Sequence, residues 1–295
     1  MNKINYFKNG FLEKTLLVKD FNKENNWPKI SIVMPSFNHS QYIEKSILSV
    51  LNQGYPNLEF IIIDGGSTDG TVEIIKKYSK HIHYWISEKD RGQSDALNKG
   101  FQKASGQIYG WLNSDDIYLP KSFFNIIEAF LKNNDKLLVF GDWLTIDKND
   151  KIIDLNHAFN FNLNHFKYEG FHLNSQSMLW KSALHKQFSG YNLNLYNTMD
   201  YQMILEFGII AEKSFLRIDK VLGAFRRHEL QKTGPIISPK IIEEHLIMSK
   251  KYNYTDKYNI FGKLKRFYFR FRRAYWYLKR GGIRNLVRRL LLSFN

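Results

Sequence analysis

Asp115 and Asp116 stand side by side directly after an apolar run from Ile108 to Leu112. Two carboxylates at the end of a buried strand offer hard oxygen donors of the kind Mg²⁺ and Mn²⁺ accept. Such ions usually complete their shell with water and substrate phosphate. A helix start explains the same pair more plainly, with one aspartate as the cap and the other solvated. Asp64 likewise closes the run Phe60-Ile61-Ile62-Ile63 and opens Asp64-Gly65-Gly66-Ser67-Thr68-Asp69-Gly70. A carboxylate there can accept an N–H from a nucleobase, and the glycines let a ligand come close to the backbone. The plainer account is a glycine-rich turn whose Ser67, Thr68 and Asp69 cap the next helix. The chain has no Gly-x-x-x-x-Gly-Lys-Ser/Thr, no Gly-x-Gly-x-x-Gly after its first strand and no Gly-x-Ser-x-Gly. Nucleotide-hydrolase, dinucleotide and serine-hydrolase readings therefore lack their signatures. With no cysteine, thiolate metal sites, disulfides and cysteine nucleophiles also drop out, and a reducing compartment fits.

The elements that must position these groups follow from apolar spacing. Ile30, Ile32, Val33 and Met34, stopped by Pro35, read as a buried strand. A helix should follow from a cap at Ser40, burying Ile43, Ile47, Val50 and Leu51 and ending near Gly54. Phe60–Ile63, His81–Ile86, Ile108–Leu112 and Leu137–Phe140 read as further strands. Helices should start near Val72, Ser94 and Pro120, the last carrying Phe123, Phe124, Ile127, Phe130 and Leu131. Strands alternating with helices imply an α/β fold with a largely parallel sheet flanked by helices. Ligands bind such sheets beyond the carboxyl ends of their strands, where the polar clusters after Met34, Ile63 and Leu112 all fall. Periodicity weakens between residues 150 and 235. The expected division is a leader over 1–28, a catalytic domain over 29–235 and a C-terminal helical extension over 236–295.

Four segments in order are more specific than any one of them. They are Val33-Met34-Pro35-Ser36-Phe37-Asn38, Ile63-Asp64-Gly65-Gly66-Ser67-Thr68-Asp69-Gly70-Thr71, Gly92-Gln93-Ser94-Asp95-Ala96-Leu97-Asn98-Lys99-Gly100 and Asn113-Ser114-Asp115-Asp116. Together they resemble glycosyltransferase family 2, over roughly residues 30 to 232, most closely in the first 90 or so of these. The resemblance implies a GT-A fold and an inverting, nucleotide-sugar-dependent transferase. On it, Pro35, Ser36, Asn38 and Ser114 would line the nucleotide-sugar pocket and Asp64 would contact the base. Arg91 and Asp95 would close around the nucleoside. Asp115 would match the last acid of the Asp-x-Asp motif and hold Mn²⁺ or Mg²⁺, with Asp116 and His228 helping. Asp200, after Met199, would be the catalytic base, while Arg226 would face the diphosphate.

Two departures stand out: Asn113 replaces the motif's first acid, and Met199 replaces the glutamate expected before the base. An ordinary helix cap accounts for Asp200 as well, in which case Glu206 or Asp142 is the next candidate base. His172 and Gln176 lie where an acceptor could bind. The Gln-x-x-Arg-Trp signature of processive synthases is missing, which favours addition of single sugars; on the resemblance, a hexosyl- or N-acetylhexosaminyl-type transferase in surface polysaccharide synthesis is expected.

The net charge of +15 is unevenly placed. Up to His245 there are 29 basic and 27 acidic residues, and from Leu246 onward 14 basic residues and one acid. Within the tail, Leu264, Phe267, Tyr268, Phe271, Tyr275 and Leu278 share one helical face, with Lys263, Arg266, Arg270, Arg272, Arg273 and Arg280 around the rest. Gly281-Gly282 should interrupt this helix before Ile283, Leu286, Val287, Leu290 and Leu291 repeat the pattern. Basic amphipathic helices fit an interfacial anchor on anionic membrane; packing of the stripe on the catalytic body is the alternative. No run approaches a bilayer span and no secretory signal is visible, so a cytoplasmic enzyme peripheral at the inner membrane face is expected. Its partners would be a nucleotide-sugar donor, UDP-linked by preference because Asp64 suits uridine, and a glycan or lipid-linked acceptor. The competing classes are a nucleotidyltransferase with a similar metal–diphosphate site and a nucleic-acid binder using the basic tail. Nothing beyond charge supports the latter, and no nucleic-acid partner is expected.

Overall fold

A computed structural model describes residues 27–170, 173–229, 231–232 and 239–292. The leader up to residue 26, and with it His172, lies outside the described residues. The first strand, β1 (Ile30–Ser36), is wholly buried and leads into α1 (Ile43–Leu51). A turn over His39–Tyr42 precedes that helix, so Ser40 is not its cap; its N–H is taken by Asp69 instead. After β2 (Leu58–Asp64) and α2 (Thr71–Lys77) come β3 (Tyr84–Ser87), α3 (Gln93–Lys103) and β4 (Ile108–Trp111). The Asp69 carboxylate accepts the Thr71 N–H at the start of α2, as a cap would, from one residue outside the cap position. A short β5 (Ile117–Tyr118) is followed by α4 (Ser122–Lys132), which begins two residues beyond Pro120.

Parallel pairing joins β3, β2, β1 and β4. The register sets Ser36, Asp64 and Ser87 abreast at the carboxyl edge. Alternation along the strands divides the core into two layers. Ile30, Ile32, Met34, Phe60 and Ile62 pack with Ile43, Ile47, Phe123 and Ile127 on one side. Val33, Ile61 and Ile63 pack with Ala96, Leu97, Ile204 and Phe207 on the other.

Beyond β4 the sheet is mixed. The remaining elements are β6 (Leu138–Ile146), β7 (Ile152–Asn156), α5 (Leu163–Glu169), β8 (Met178–Lys181), α6 (Ser182–His185), α7 (Met199–Ala211) and β9 (Phe215–Arg226). The order is β3-β2-β1-β4-β8-β6-β9-β5, with β7 paired to β6. Antiparallel β8 separates the parallel half from the long parallel pair of β6 and β9. Strand β6 runs past Phe140 because a bulge around Gly141 and Asp142 lets the ladder continue to Ile146. Helix α7 is apolar nearly all round and buried from Met199 to Gly208 apart from Asp200, which hides its period in the sequence.

Two helices close the chain, α8 (Pro239–Lys251) and α9 (Ile260–Leu292). Gly281 and Gly282 lie inside α9 and do not interrupt it, although each costs about 1 kcal/mol against alanine. Helix α9 docks on α5 through Phe269, which stacks on His165, and on the segment before α5 through Trp276 against Phe159 and Tyr277 at the His157 carbonyl. Arg270 and Arg273 pair with the buried Glu169 at 2.9 and 2.8 Å. The apolar stripe faces the other way: Leu264, Phe267, Tyr268, Phe271, Tyr275 and Leu278 are all exposed, Phe267 by 74%. Among the described residues no helix is long and apolar enough to cross a membrane.

Candidate active site

The carboxyl edge of the parallel half opens into a cavity of about 730 Å³. Pro35 and Ser36 from the end of β1, Gly65 and Gly66 after β2, and Ser114 and Asp115 after β4 form part of its wall. Met199 and Asp200 from the start of α7 line it as well. The Tyr196–Thr198 segment beside them is held by the buried Glu244 of α8, which accepts from Tyr196 N at 2.9 Å, Asn197 N at 3.0 Å and Thr198 Oγ1 at 2.8 Å. The C-terminal region therefore props part of the cavity wall.

Asp64 is fully buried and does not reach the cavity; its oxygens serve its own loop. They accept from Gly66 N at 3.1 Å, Ser67 N at 2.8 Å, Ser67 Oγ at 2.5 Å and Ser87 Oγ at 2.7 Å. That network presents Gly65 and Gly66 to the cavity in its place. Asn38 supports the same loop, its side chain accepting from Thr68 N at 2.9 Å and its backbone N–H donating to Ser67 Oγ. Asp95 sits behind the lining and accepts the Arg91 N–H at 3.1 Å. Burial opposes its ionisation, but that bond and the nearby Lys99 and Arg91 charges hold its carboxyl below the usual range. Arg91 extends outward, its side chain 72% exposed.

The carboxylates after β4 diverge. Asp115 Oδ2 meets His228 Nε2 at 3.0 Å, and His39, Asp115 and His228 bring one potential ligand atom each within 4.8 Å of one another. Burial works against an ionised Asp115, yet the His228 hydrogen bond and both imidazoles outweigh it and keep its pKa low. Asp116 turns away into the protein, accepting from Arg226 N at 2.9 Å and Asn113 Nδ2 at 3.3 Å. Its pKa is pushed well up, first by burial and then by the Asp115 charge. Asp116 is thus absent from the ligand cluster, and His39 stands where a second acid was expected. Arg226 is also displaced from expectation: wholly buried behind the wall, it donates from Nε to the Asp115 carbonyl at 2.8 Å and from Nη1 to Asp150 Oδ1 at 2.5 Å. It braces the Asp115 turn and does not line the cavity.

Asp200 lies inside the first turn of α7, whose cap position is Thr198, so it is not the helix cap. Burial lifts its pKa to about 7, against the lowering effect of the Tyr201 N–H and the Lys232 charge. Glu206 and Asp142 are occupied elsewhere. Glu206 accepts from Ser189, Gln202 and Tyr252, and Asp142 from His157, Ala158 and Arg217. Gln176 is buried under Gly223 of β9 and does not face the cavity. The sequence reading missed His39, Asp90 and Lys232. Lys232 lines the cavity 4.4 Å from the Tyr196 ring and reaches Gln93 Oε1 at 3.2 Å. Burial lowers its pKa. For His39 the available signal was its place directly after Asn38 beyond β1; Lys232 carried none.

Comparison with known proteins bears on this site and fold. A putative teichuronic acid biosynthesis glycosyltransferase of Bacillus subtilis, TuaG, is 42% identical over 95 residues, covering 31% of this chain and 38% of its own. Chondroitin synthase of Escherichia coli is 26% identical over 247 residues, covering 79% of this chain and 35% of its own. The first five curated relatives are matched over only 20% to 45% of their length. In three dimensions the chain resembles S. aureus TarS 1-349 in complex with UDP-GlcNAc, with a TM-score of 0.56 at 17% identity, covering 74% of this chain and 66% of that one. It also resembles the mannosyltransferase PcManGT of Pyrobaculum calidifontis in complex with GDP-Man and Mn²⁺, with a TM-score of 0.50 at 16% identity, covering 67% and 56%. At such identities the likeness shows the fold, which is of GT-A type. The model of glycosyl transferase family 2 matches residues 31–188, more than half of the chain, and the chain belongs to that family.

Proposed function

We propose that this protein transfers one sugar from a nucleoside-diphosphate sugar to a hydroxyl of a glycan or lipid-linked acceptor, with inversion, in surface polysaccharide synthesis. The observation that carries the reading is one cavity walled both by the turn holding Asp115 and by Asp200, a desolvated carboxyl titrating near neutrality. The complexes of TarS with UDP-GlcNAc and PcManGT with GDP-Man support a nucleotide-sugar donor, and Gly65 and Gly66 in the cavity wall would let such a ligand approach the backbone closely. The residues present fit a divalent ion: Asp115 supplies an ionised oxygen, and His228 is a buried imidazole whose Nδ1 lacks any hydrogen-bond partner. Asp115 and His228 would hold Mn²⁺ or Mg²⁺, which supplies Lewis-acid relief of the charge building on the leaving diphosphate.

The chain's own residues account for the rest. Asp200 takes the acceptor hydroxyl proton as that oxygen bonds to the anomeric carbon and the bond to the diphosphate breaks on the opposite face. A single displacement inverts the centre and needs no covalent intermediate. Lys232 places a cation on the same wall. Asp115→Asn should keep the fold and lower turnover by about 10²-fold or more, roughly the several kcal/mol an ion contributes. The reaction is tested by incubating the protein with UDP-sugars and an acceptor and analysing the released phosphates. Nucleoside diphosphate supports transfer; pyrophosphate released in a parallel incubation with a nucleoside triphosphate and a sugar 1-phosphate would establish the competing nucleotidyltransferase reading. The exposed stripe of α9, flanked by lysine and arginine, further supports a peripheral position on anionic membrane at the cytoplasmic face.

A further inference from the structure

We propose that His39 completes a three-ligand site with Asp115 and His228, and that this site takes a divalent transition ion such as Mn²⁺, discriminates against Mg²⁺, and fills before any donor binds. The inference rests on the metal part of the reading above and narrows it. Its ground is the fate of every oxygen donor near the turn after β4. Asn113 Oδ1 is already shared by Gln93 Nε2 at 2.7 Å and Trp111 Nε1 at 2.6 Å. Asp116 is committed to Arg226 N and Asn113 Nδ2. One carboxylate therefore remains, and the two other ligand atoms in the cluster are imidazole nitrogens. Ser114 Oγ sits 2.7 Å from His39 Nδ1, which orients that ring and leaves Nε2 as its free donor. Such a bond on the far side of a ligating histidine fixes tautomer and aim. The His228 ring is held 4.6 Å from the Tyr42 ring, and its side chain is only 1% exposed, so its orphaned nitrogen is a built feature.

The chemistry of the set decides the ion. Mg²⁺ prefers oxygen ligands and near-ideal octahedral geometry, whereas imidazole suits first-row transition ions, whose affinity rises from Mn²⁺ toward the later metals. Two imidazoles and one carboxylate leave a divalent ion with a net positive charge, which suits a diphosphate. Three protein ligands should also hold the ion without help from substrate oxygens.

The test uses the full chain, freed of metal by chelation and titrated with MnCl₂ alone, read by the loss of free-Mn²⁺ electron paramagnetic resonance signal. We expect one ion per chain in the absence of nucleotide, resistant to about 100-fold excess of Mg²⁺. His39→Ala should weaken Mn²⁺ binding about tenfold or more, and Asp116→Asn far less. If a metal-free melt shows His39→Ala misfolded, His39→Gln, which can still bond Ser114, takes its place. Equal competition by Mg²⁺, unchanged affinity on replacing His39, or binding only when UDP is present would each overturn the proposal. Full transfer activity in EDTA would overturn it together with the metal reading while leaving glycosyl transfer standing. Tight Mn²⁺ binding by a chain that transfers no sugar would uphold the site and remove the transferase reading instead.

Discussion

Asp200 shows how a residue's task is set by its surroundings. An aspartate in the first turn of a helix ordinarily favours its charged form, yet desolvation here wins and places its titration near 7. As a base it works only when ionised, so kcat/KM should climb with pH through about 7 on its acid limb. Asp200→Asn should cut turnover by about 10²–10⁴-fold and leave donor affinity nearly unchanged, checked by steady-state kinetics beside UDP titration. The same shift acts on stability, with the opposite benefit. Near the ordinary value of 3.8 and below, folded and unfolded chains both carry the proton; between there and about 7 the unfolded chain ionises while the folded chain resists. Stability from this group is therefore present at low pH and lost as pH rises through about 7, at about 1.4 kcal/mol per pH unit of the window. Asp200→Asn should accordingly melt at a higher temperature than the parent at pH 8 and not at pH 4, and a variant destabilised at both would mark the side chain as structural. Such residues were partly legible in the sequence. Asp115 and Asp200 announced themselves by following strands or opening helices, whereas the division of labour between Asp115 and Asp116 depends on Arg226, 110 residues away, and no local pattern encodes it.

Elements were legible where their period was clean. The four parallel strands and α1 to α4 emerge from apolar runs within a few residues, because each buries one face or two in a regular way. Between residues 150 and 235 short strands such as β7 and β8 and the all-round apolar α7 leave no period to read. Glycine positions carry much of what pattern misses. A Cβ on Gly223 in β9 would lie 2.0 Å from the Gln176 carbonyl oxygen, a backbone atom that cannot swing aside. Gly223→Ala should thus cost about 1–3 kcal/mol or more in urea unfolding. It should also disturb activity, because β9 carries the chain into His228. For α9, the ion pairs of Glu169 with Arg270 and Arg273 sit over an aromatic contact. Glu169→Gln should leave the body folded but speed limited proteolysis within α9; unchanged cleavage would show that Phe269, Trp276 and Tyr277 hold the helix alone.

On the scale of the whole molecule, sequence and structure divide the credit for the tail. Composition located the charge and spacing drew the stripe, but neither said that α9 has two apolar faces, one docked on α5 and one turned outward. Only the inward contacts, scattered over α5 and the segment around His157, distinguish them. This geometry allows a cleaner test than truncation. Replacing Phe267, Phe271 and Tyr275 together with serine should leave the melting temperature nearly unchanged and abolish sedimentation with anionic liposomes, most clearly at physiological salt, where the roughly 1 kcal/mol per basic residue is screened. Undiminished sedimentation would reject the outward stripe as the anchor. The meeting of Asp115 and His228 has a consequence of another kind. Their side chains join points 113 residues apart in a chain that has no cysteine to cross-link it. Any bond made there closes a very large loop, and the entropy of that closure grows only slowly with length. An ion occupying the site would therefore act as a removable staple, coupling the cohesion of the native fold to whatever divalent metal the surroundings supply.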